Sequence, residues 1–188
     1  VTMGNSDITM TGIWEFTANA KDGVRYTYES GTPGKELPSE IHTLFAVNDT
    51  TEYYVGQTVI NKGPQINSTT YPMRDHSGTW TLTSWSASSD KMVEGGVTFT
   101  GTWTFEENTK VTLSYEIIVK TATDPQPVAG TVTKPNDQTD YSGKSFDVGG
   151  DAITTDDTYK WTFNGWYTDV ACTIPAEASI ILTEETVL

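Results

Sequence analysis

The sequence predicts a mainly β protein, a β-rich α+β chain of two small, elongated β-grasp-like sheet domains in tandem, with one short helix in the first. Three observations carry this. A set of segments recurs at a spacing close to one small domain, the recurring segments alternate apolar and polar residues, and Gly- and Pro-bearing turns separate them.

The repeat sets the boundaries. Residues 8–16 read Ile-Thr-Met-Thr-Gly-Ile-Trp-Glu-Phe and residues 97–105 read Val-Thr-Phe-Thr-Gly-Thr-Trp-Thr-Phe, five of nine positions being identical at an offset of 89. Val24-Arg25-Tyr26-Thr27-Tyr28 is echoed by Val111-Thr112-Leu113-Ser114-Tyr115 at an offset of 87. Trp80-Thr81-Leu82-Thr83-Ser84-Trp85 is echoed by Trp161-Thr162-Phe163-Asn164-Gly165-Trp166 at an offset of 81. Three echoes in the same order imply three units. Residues 1–20 are expected to hold the C-terminal strand of a preceding repeat and a linker, 21–107 a complete domain, and 108–188 a further domain that nearly completes.

Taken in order, the segments read as follows. Val24 to Tyr28 is a strand, followed by the turn residues Gly31-Thr32-Pro33-Gly34. Pro38-Ser39-Glu40 opens a helix of two or three turns at most, with Ile41, Leu44 and Phe45 on one face. In 97–105, Val97, Phe99, Trp103 and Phe105 share one face and Thr98, Thr100, Thr102 and Thr104 the other, the period of a half-buried strand. Threonine suits the outer face because its branched Cβ favours extended backbone. Val111 to Val119 alternates in the same way and predicts a strand of roughly 30 Å. Asp22-Gly23, Gly95-Gly96, Ser142-Gly143 and Gly149-Gly150 mark turns, and 120–160, rich in Thr, Asp, Pro and Gly, reads as strands and loops.

Composition narrows the functional class. The chain has 188 residues with 11 basic and 25 acidic side chains, a net charge of −14. The acid is dispersed along the chain. That balance argues against nucleic acid or an anionic membrane as partner, since both require Lys and Arg to neutralise phosphates. Cys172 is the single cysteine, so no intramolecular disulfide can form. Abundant Thr, scarce Lys and no long helical stretch fit a bacterial surface protein that does without disulfides. No stretch has the pattern of an export signal, a membrane span or a wall-sorting tail, so such signals are expected outside these residues.

At these residues the chain resembles known families. The run from Val24 to Pro38, with its Gly31-Thr32-Pro33-Gly34-Lys35-Glu36-Leu37-Pro38 block, together with Gly78-Thr79-Trp80 and 97–105, resembles a SHIRT domain, a tandem repeat of long streptococcal surface proteins. Residues 108–188 lack that block. They are more similar to a Listeria–Bacteroides repeat, the β-grasp-like module also found in internalin B-repeats, through Trp161-Thr162-Phe163-Asn164-Gly165-Trp166-Tyr167-Thr168-Asp169 and Ala171-Cys172-Thr173. Thr183 to Leu188 suits that module's penultimate stretch, so a final aromatic strand is expected to follow. The resemblance implies a stalk of domains joined end to end on the bacterial cell surface, wall-anchored through parts outside these residues. It brings no catalytic residues.

Residues capable of chemistry are few. His42 and His76 are the only histidines, whereas a triad or a zinc site needs His in concert with other groups. His42 is expected on the polar side of the helix. Cys172 has no nearby Lys, Arg or His to lower its pKa and reads as a partly buried structural thiol. Asp147, Asp151, Asp156 and Asp157 could offer oxygens to calcium, but their spacing matches no loop motif, and solvated carboxylates are the plainer reading. Asn48-Asp49-Thr50 and Asn67-Ser68-Thr69 are formal glycosylation sequons, expected to be idle in a bacterium. A Lys–Asn cross-link would need a buried Lys that sequence does not reveal. Trp14, Trp80, Trp103 and Trp161 recur within alternating strands, where core anchors belong, and Trp85 and Trp166 are expected to cover the core's end. No catalytic, cofactor-binding or metal-binding residue is assigned, and no cofactor is expected.

The expected function is that of a non-catalytic stalk segment projecting a distal binding domain, monomeric, with neighbouring repeats of the same chain as partners. The short stretch from Phe105 to Lys110, without a flexible spacer, agrees with a stiff joint. The alternatives are a binding module for a host glycan or matrix protein, with its site in loops or at the junction, or an accessory domain of an extracellular glycosidase.

Overall fold

The computed structural model describes residues 9–121, 123–183 and 186–187. In chain order its elements are β1 (Lys21–Asp22), β2 (Val24–Ser30), α1 (Ser39–Leu44), β3 (Tyr53–Tyr54), β4 (Thr58–Ile60), β5 (Thr70–Pro72), β6 (Gly78–Trp85), β7 (Ser89–Lys91) and β8 (Val97–Glu107). They continue with β9 (Lys110–Ser114), β10 (Val132–Thr133), β11 (Gln138–Tyr141), β12 (Ser145–Asp147), β13 (Ile153–Thr154), β14 (Ser179–Ile181) and β15 (Thr186–Val187). The chain is mainly β, with one short helix among the described residues. Two compact units result: one takes residues up to Ile66 and Leu82–Trp103, the other Asn67–Thr81 and residues from Thr104 onward.

In the first unit β2 and β8 run parallel, Val24 opposite Val97 through Ser30 opposite Trp103. They belong to a sheet of order β2-β8-β6-β5. The predicted alternation of β8 is visible in its burial: Val97, Phe99, Gly101 and Trp103 are buried, while Thr98 and Thr104 face solvent. On the outer face Thr27 Oγ1 and Thr100 Oγ1 meet at 3.0 Å, a cross-strand pair of the kind that steadies register. Val59, Met92, Val97 and Phe99 form a core, packed by Tyr26, Tyr53 and Trp85. Fully burying an aliphatic or Phe side chain of this kind is worth about 1.5–3 kcal/mol.

A parallel pair needs a long crossover, and the chain between β2 and β8 supplies it with α1 and the strands β3 to β7, of which β4 and β7 pair antiparallel and β3 pairs back with β1, ahead of β2. The helix covers the core with one residue. Ile41 is fully buried, and Phe45, just past the helix end, stacks at 5.0 Å on the buried Trp103. Tyr28 Oη donates to the carbonyl of Phe45 and ties the helix end to β2. Leu44, expected on the buried face, is 64% exposed. The helix is only six residues long and stops at that position, so no further turn exists to bring Leu44 inward.

In the second unit β5 pairs antiparallel with β6, and Trp80, buried, packs on Phe105 at 5.2 Å. A separate three-stranded sheet has β9 at its centre, with β11 antiparallel on one side and β15 parallel on the other. Around it Val111, Leu113, Tyr115, Phe146, Ala152, Trp166 and Leu182 close a second core, helped by Ile117, Phe163 and Ile180. Two small pairs, β10–β13 and β12–β14, complete the unit.

Three further expectations differ from the structure. The strand predicted over 111–119 ends at Ser114, where its described pairing with β11 and β15 stops. Beyond that point no described strand offers partners, so the alternation of Tyr115, Ile117 and Val119 persists without a ladder. The second difference lies at 161–167, which makes only an isolated bridge between Tyr167 and Pro175. Gly165, at φ 114°, breaks the alternation there and turns Trp166 rather than its neighbour into the core. Third, the described part of the predicted first strand, residues 9–16, has no regular structure. Met10, Trp14 and Phe16 are 90, 97 and 89% exposed, so Trp14 is not the core anchor its sequence position suggested. An amphipathic strand gains its burial from neighbours, and among the described residues none pairs with it.

Candidate functional site

A cleft of about 1110 Å³ lies within the second unit. One wall is the unpaired stretch Glu116–Lys120, and the other is 161–167 with the turn Asp169–Cys172. Trp161, Phe163 and Tyr167 line it half-buried, while Trp166 lies beneath. Trp166 is fixed from both sides: its ring meets Tyr115 at 4.8 Å and Phe163 at 4.9 Å, and Nε1 donates to the Gly150 carbonyl at 3.0 Å. The cleft therefore offers apolar and aromatic side chains together with the charged Glu116, Lys120 and Asp169.

Asp169 is already committed. Its Oδ1 accepts the backbone N–H of Ile174 at 2.7 Å and that of Thr173 at 2.9 Å, and its Oδ2 accepts the Thr173 hydroxyl at 2.8 Å. The Ile174 backbone bond, followed by the Thr173 hydroxyl bond, holds its carboxyl below the ordinary range. This carboxylate is a turn staple, and the turn it closes carries Cys172, exposed rather than partly buried and at φ 51°. Sequence reasoning had not given Asp169 this role, because the amides it caps lie four and five residues on, beyond the two-residue span of the common Asx turn.

The four aspartates of 147–157 are not gathered. Asp147, Asp151 and Asp157 are exposed, whereas Asp156 is buried at 9% exposure. Asp156 accepts the backbone N–H of Thr158 at 2.9 Å and that of Val128 at 3.1 Å. Those two bonds, Thr158 first, depress its pKa. It thereby pins the loop of 124–131 to the strand end at Thr154. Among the described residues no group of three or more His, Cys, Asp or Glu is arranged to hold a metal ion.

Both histidines are exposed. His42 lies on the outward side of α1, its ring centroid 6.1 Å from that of Tyr28. His76 occupies a left-handed turn position at φ 62°, and its carbonyl accepts the Asn108 side-chain amide at 2.9 Å. Asn48 and Asn67 are exposed, Asn67 at φ 59°. Of the repeated tryptophans, Trp80 and Trp103 are buried, at 2% and 0% exposure. Trp85 matches Trp166 in function as well as position: its Nε1 donates to the Pro64 carbonyl at 3.0 Å, so each unit's second Trp ties a loop to its core. That loop approach is tight, since a Cβ on Gly63 would stand 2.1 Å from the Trp85 ring. No helix among the described residues is long and apolar enough to cross a membrane.

Comparison with known proteins identifies the first repeat. Residues 20–106 match the SHIRT domain. Two solved structures are similar to the chain. Streptococcal High Identity Repeats in Tandem (SHIRT) domain 10 from a cell surface protein is 32% identical, covering 46% of this chain and 98% of its own, with a TM-score of 0.37. SHIRT domains 3-4 from a cell surface protein are 22% identical, covering 88% of this chain and 94% of their own, with a TM-score of 0.43. No curated protein matches the chain.

Proposed function

We propose, from the premise that residues 20–106 belong to the SHIRT domain family, that the protein is a non-catalytic spacer of a bacterial surface adhesin, holding a distal binding domain away from the cell wall. The single observation that supports a spacer best is the connection between the repeats. β8 ends at Glu107 and β9 begins at Lys110, leaving Asn108 and Thr109 as the only residues between them. Both are occupied: Asn108 N donates to the Ser77 carbonyl at 3.0 Å, and the Thr109 carbonyl accepts Ser142 N at 2.9 Å. The Tyr141 hydroxyl donates to Glu107 at 2.7 Å. A short connection hydrogen-bonded at both of its residues resists bending, whereas a Gly/Ser-rich linker behaves as a random coil.

In this reading residues 108–188 are a Listeria–Bacteroides-type, β-grasp-like module in the same rod. Small-angle X-ray scattering tests it. A rod whose maximum dimension approaches the sum of two modules, unchanged between low and high salt, is expected. A compact or salt-variable particle would overturn the spacer.

A second reading is favoured by one observation, the cleft walled by Trp161, Phe163 and Tyr167, because aromatic faces stack on sugars. It makes the second unit a binding module for a host glycan. Titration with a panel of soluble glycans, read by the fluorescence of the wild type against Trp161→Ala, separates the two: saturable quenching lost in the variant supports the module, and none supports the spacer alone.

A further inference from the structure

Asparagine followed directly by glycine occurs once in the sequence, at Asn164–Gly165. The pair is chemically distinct. The backbone nitrogen after an asparagine can close a five-membered ring on that asparagine's own side chain. A side chain on the following residue hinders the closure, and glycine has none.

The fold leaves this pair open. Both residues are exposed, and a Cβ on Gly165 would meet nothing within 4 Å. Among the described residues neither the Gly165 N–H nor the Asn164 side-chain amide has a hydrogen-bond partner. The bond made at the pair runs from the Tyr167 hydroxyl to the Asn164 carbonyl, at 3.4 Å. Other asparagines are held: the side-chain amides of Asn19, Asn61 and Asn108 donate to the carbonyls of Val55, Ala87 and His76. Gly165 sits at φ 114°, where any other residue is strained. The glycine that speeds ring closure is therefore the one the turn requires.

The position is also consequential. Asn164 and Gly165 line the cleft between Phe163 and Trp166, whose rings meet at 4.9 Å, and Trp166 packs in turn on Tyr115 at 4.8 Å. We infer that Asn164 is a self-modification site, where the chain deamidates without an enzyme and the product loosens the aromatic core of the second unit. Hydroxide removes the Gly165 amide proton, and the nitrogen attacks Asn164 Cγ. The N–Cγ bond forms, the Cγ–Nδ2 bond breaks, and the side-chain nitrogen leaves as ammonia with protons from water. Water then opens the cyclic imide. Cleavage of the N–Cγ bond gives aspartate. Cleavage at the main-chain carbonyl carbon of residue 164 gives isoaspartate, whose main chain runs through Cβ and Cγ. The balance is one water consumed and one ammonia released, with no change of oxidation state.

Aspartate adds a negative charge to a lining that already includes Glu116 and Asp169. Isoaspartate also lengthens the main chain by one atom between Phe163 and Trp166, which draws the two rings out of register. The chemistry is the same whether the second unit is a spacer or binds a glycan.

The test ages the full folded chain at mildly alkaline pH in water enriched in the heavy oxygen isotope. Asn164→Gln, whose larger ring closes slowly, is aged beside it, and Asn164→Asp is measured fresh to report the charge alone. Peptide mass spectrometry is expected to find the isotope at residue 164 about tenfold sooner than at any other asparagine, as a barrier lower by about 1.4 kcal/mol requires. The rate should be proportional to hydroxide, with isoaspartate the larger product. Amide exchange around Trp166 is expected to quicken about tenfold in the aged wild type, less in Asn164→Asp, and not at all in aged Asn164→Gln. If residue 164 stays unlabelled in the folded chain while the same chain in urea acquires the isotope, the site is overturned. Labelling at 164 with unaltered exchange around Trp166 would overturn the loosening of the core.

Discussion

Gly101 faces Tyr28 directly across the parallel β2–β8 ladder, and a Cβ on Gly101 would stand 2.9 Å from the Tyr28 ring and 3.0 Å from Leu82. The glycine in the repeated Thr-Gly-x-Trp motif is thus explained by packing, since its lost side chain makes room for a tyrosine ring. Tyr28 is held from its far end by its hydroxyl bond to Phe45, so it has little freedom to yield.

Gly101→Val should therefore overpack the sheet. A loss of about 1–3 kcal/mol is expected, read as a lower denaturation midpoint with the slope unchanged. An effect below about 0.5 kcal/mol would mean that the Tyr28 ring is free to move aside.

Trp103 and Trp14 hold the same repeat position with opposite environments, 0% and 97% exposed. Trp103→Ala should cost about 3–5 kcal/mol, whereas Trp14→Ala in this chain should leave the midpoint unchanged within about 0.5 kcal/mol. Parallel chemical denaturation of the two variants checks this.

Trp85 and Trp166 each donate Nε1 to a loop carbonyl at 3.0 Å. Replacing either by Phe keeps most of the ring but leaves the carbonyl unpaired, at a cost of about 1–3 kcal/mol. Similar losses in the two variants are expected from their equivalent roles. Differential scanning calorimetry measures both.

Asp49 and Lys62 pair at 3.0 Å, the Asp49 side chain almost fully enclosed. Hydrogen bonding from Thr51, then the bond from Lys62, lowers the Asp49 pKa. Bonding to Tyr53 and then to Asp49 raises that of Lys62. A depressed acid contributes stability that is fully present above its unfolded pKa and is lost as pH falls through the folded value. A raised base contributes stability that is present below its unfolded pKa and is lost as pH rises through the folded one. The pair thus favours the folded state across neutral pH and weakens at both extremes. Asp49→Asn should flatten the acid limb of a stability-against-pH curve, and an unaltered limb would contradict the assignment.

Much of this was legible in the residues. Strand β8, the helix at Ile41 and the turns at Gly34, Gly95 and Gly143 follow from the apolar period, from Pro38 at the helix start and from glycines that accept left-handed backbone. The repeated Trp85 and Trp166 gave away their covering role. What could not be read was the partner of a strand. Tyr115 to Val119 and Met10 to Phe16 alternate as well as Val97 to Phe105 does, yet among the described residues only the last lies between neighbours. Alternation reports which face a segment would bury, and ladder formation depends on whether another strand is present to receive it. Asp156 and Asp169 were hidden for a related reason, since an Asp that caps backbone amides looks in sequence like any solvated acid.

The central claim, that consecutive modules are joined stiffly, is tested most directly by a spin-label distance distribution. Cys172 is the single native thiol and is exposed, and Glu36→Cys adds a second label on an exposed loop of the first unit. A single narrow distance, unchanged between low and high salt and broadened when Gly-Ser repeats are inserted after Asn108, is the expected result. A broad or multimodal distribution in the unmodified connection would contradict the account.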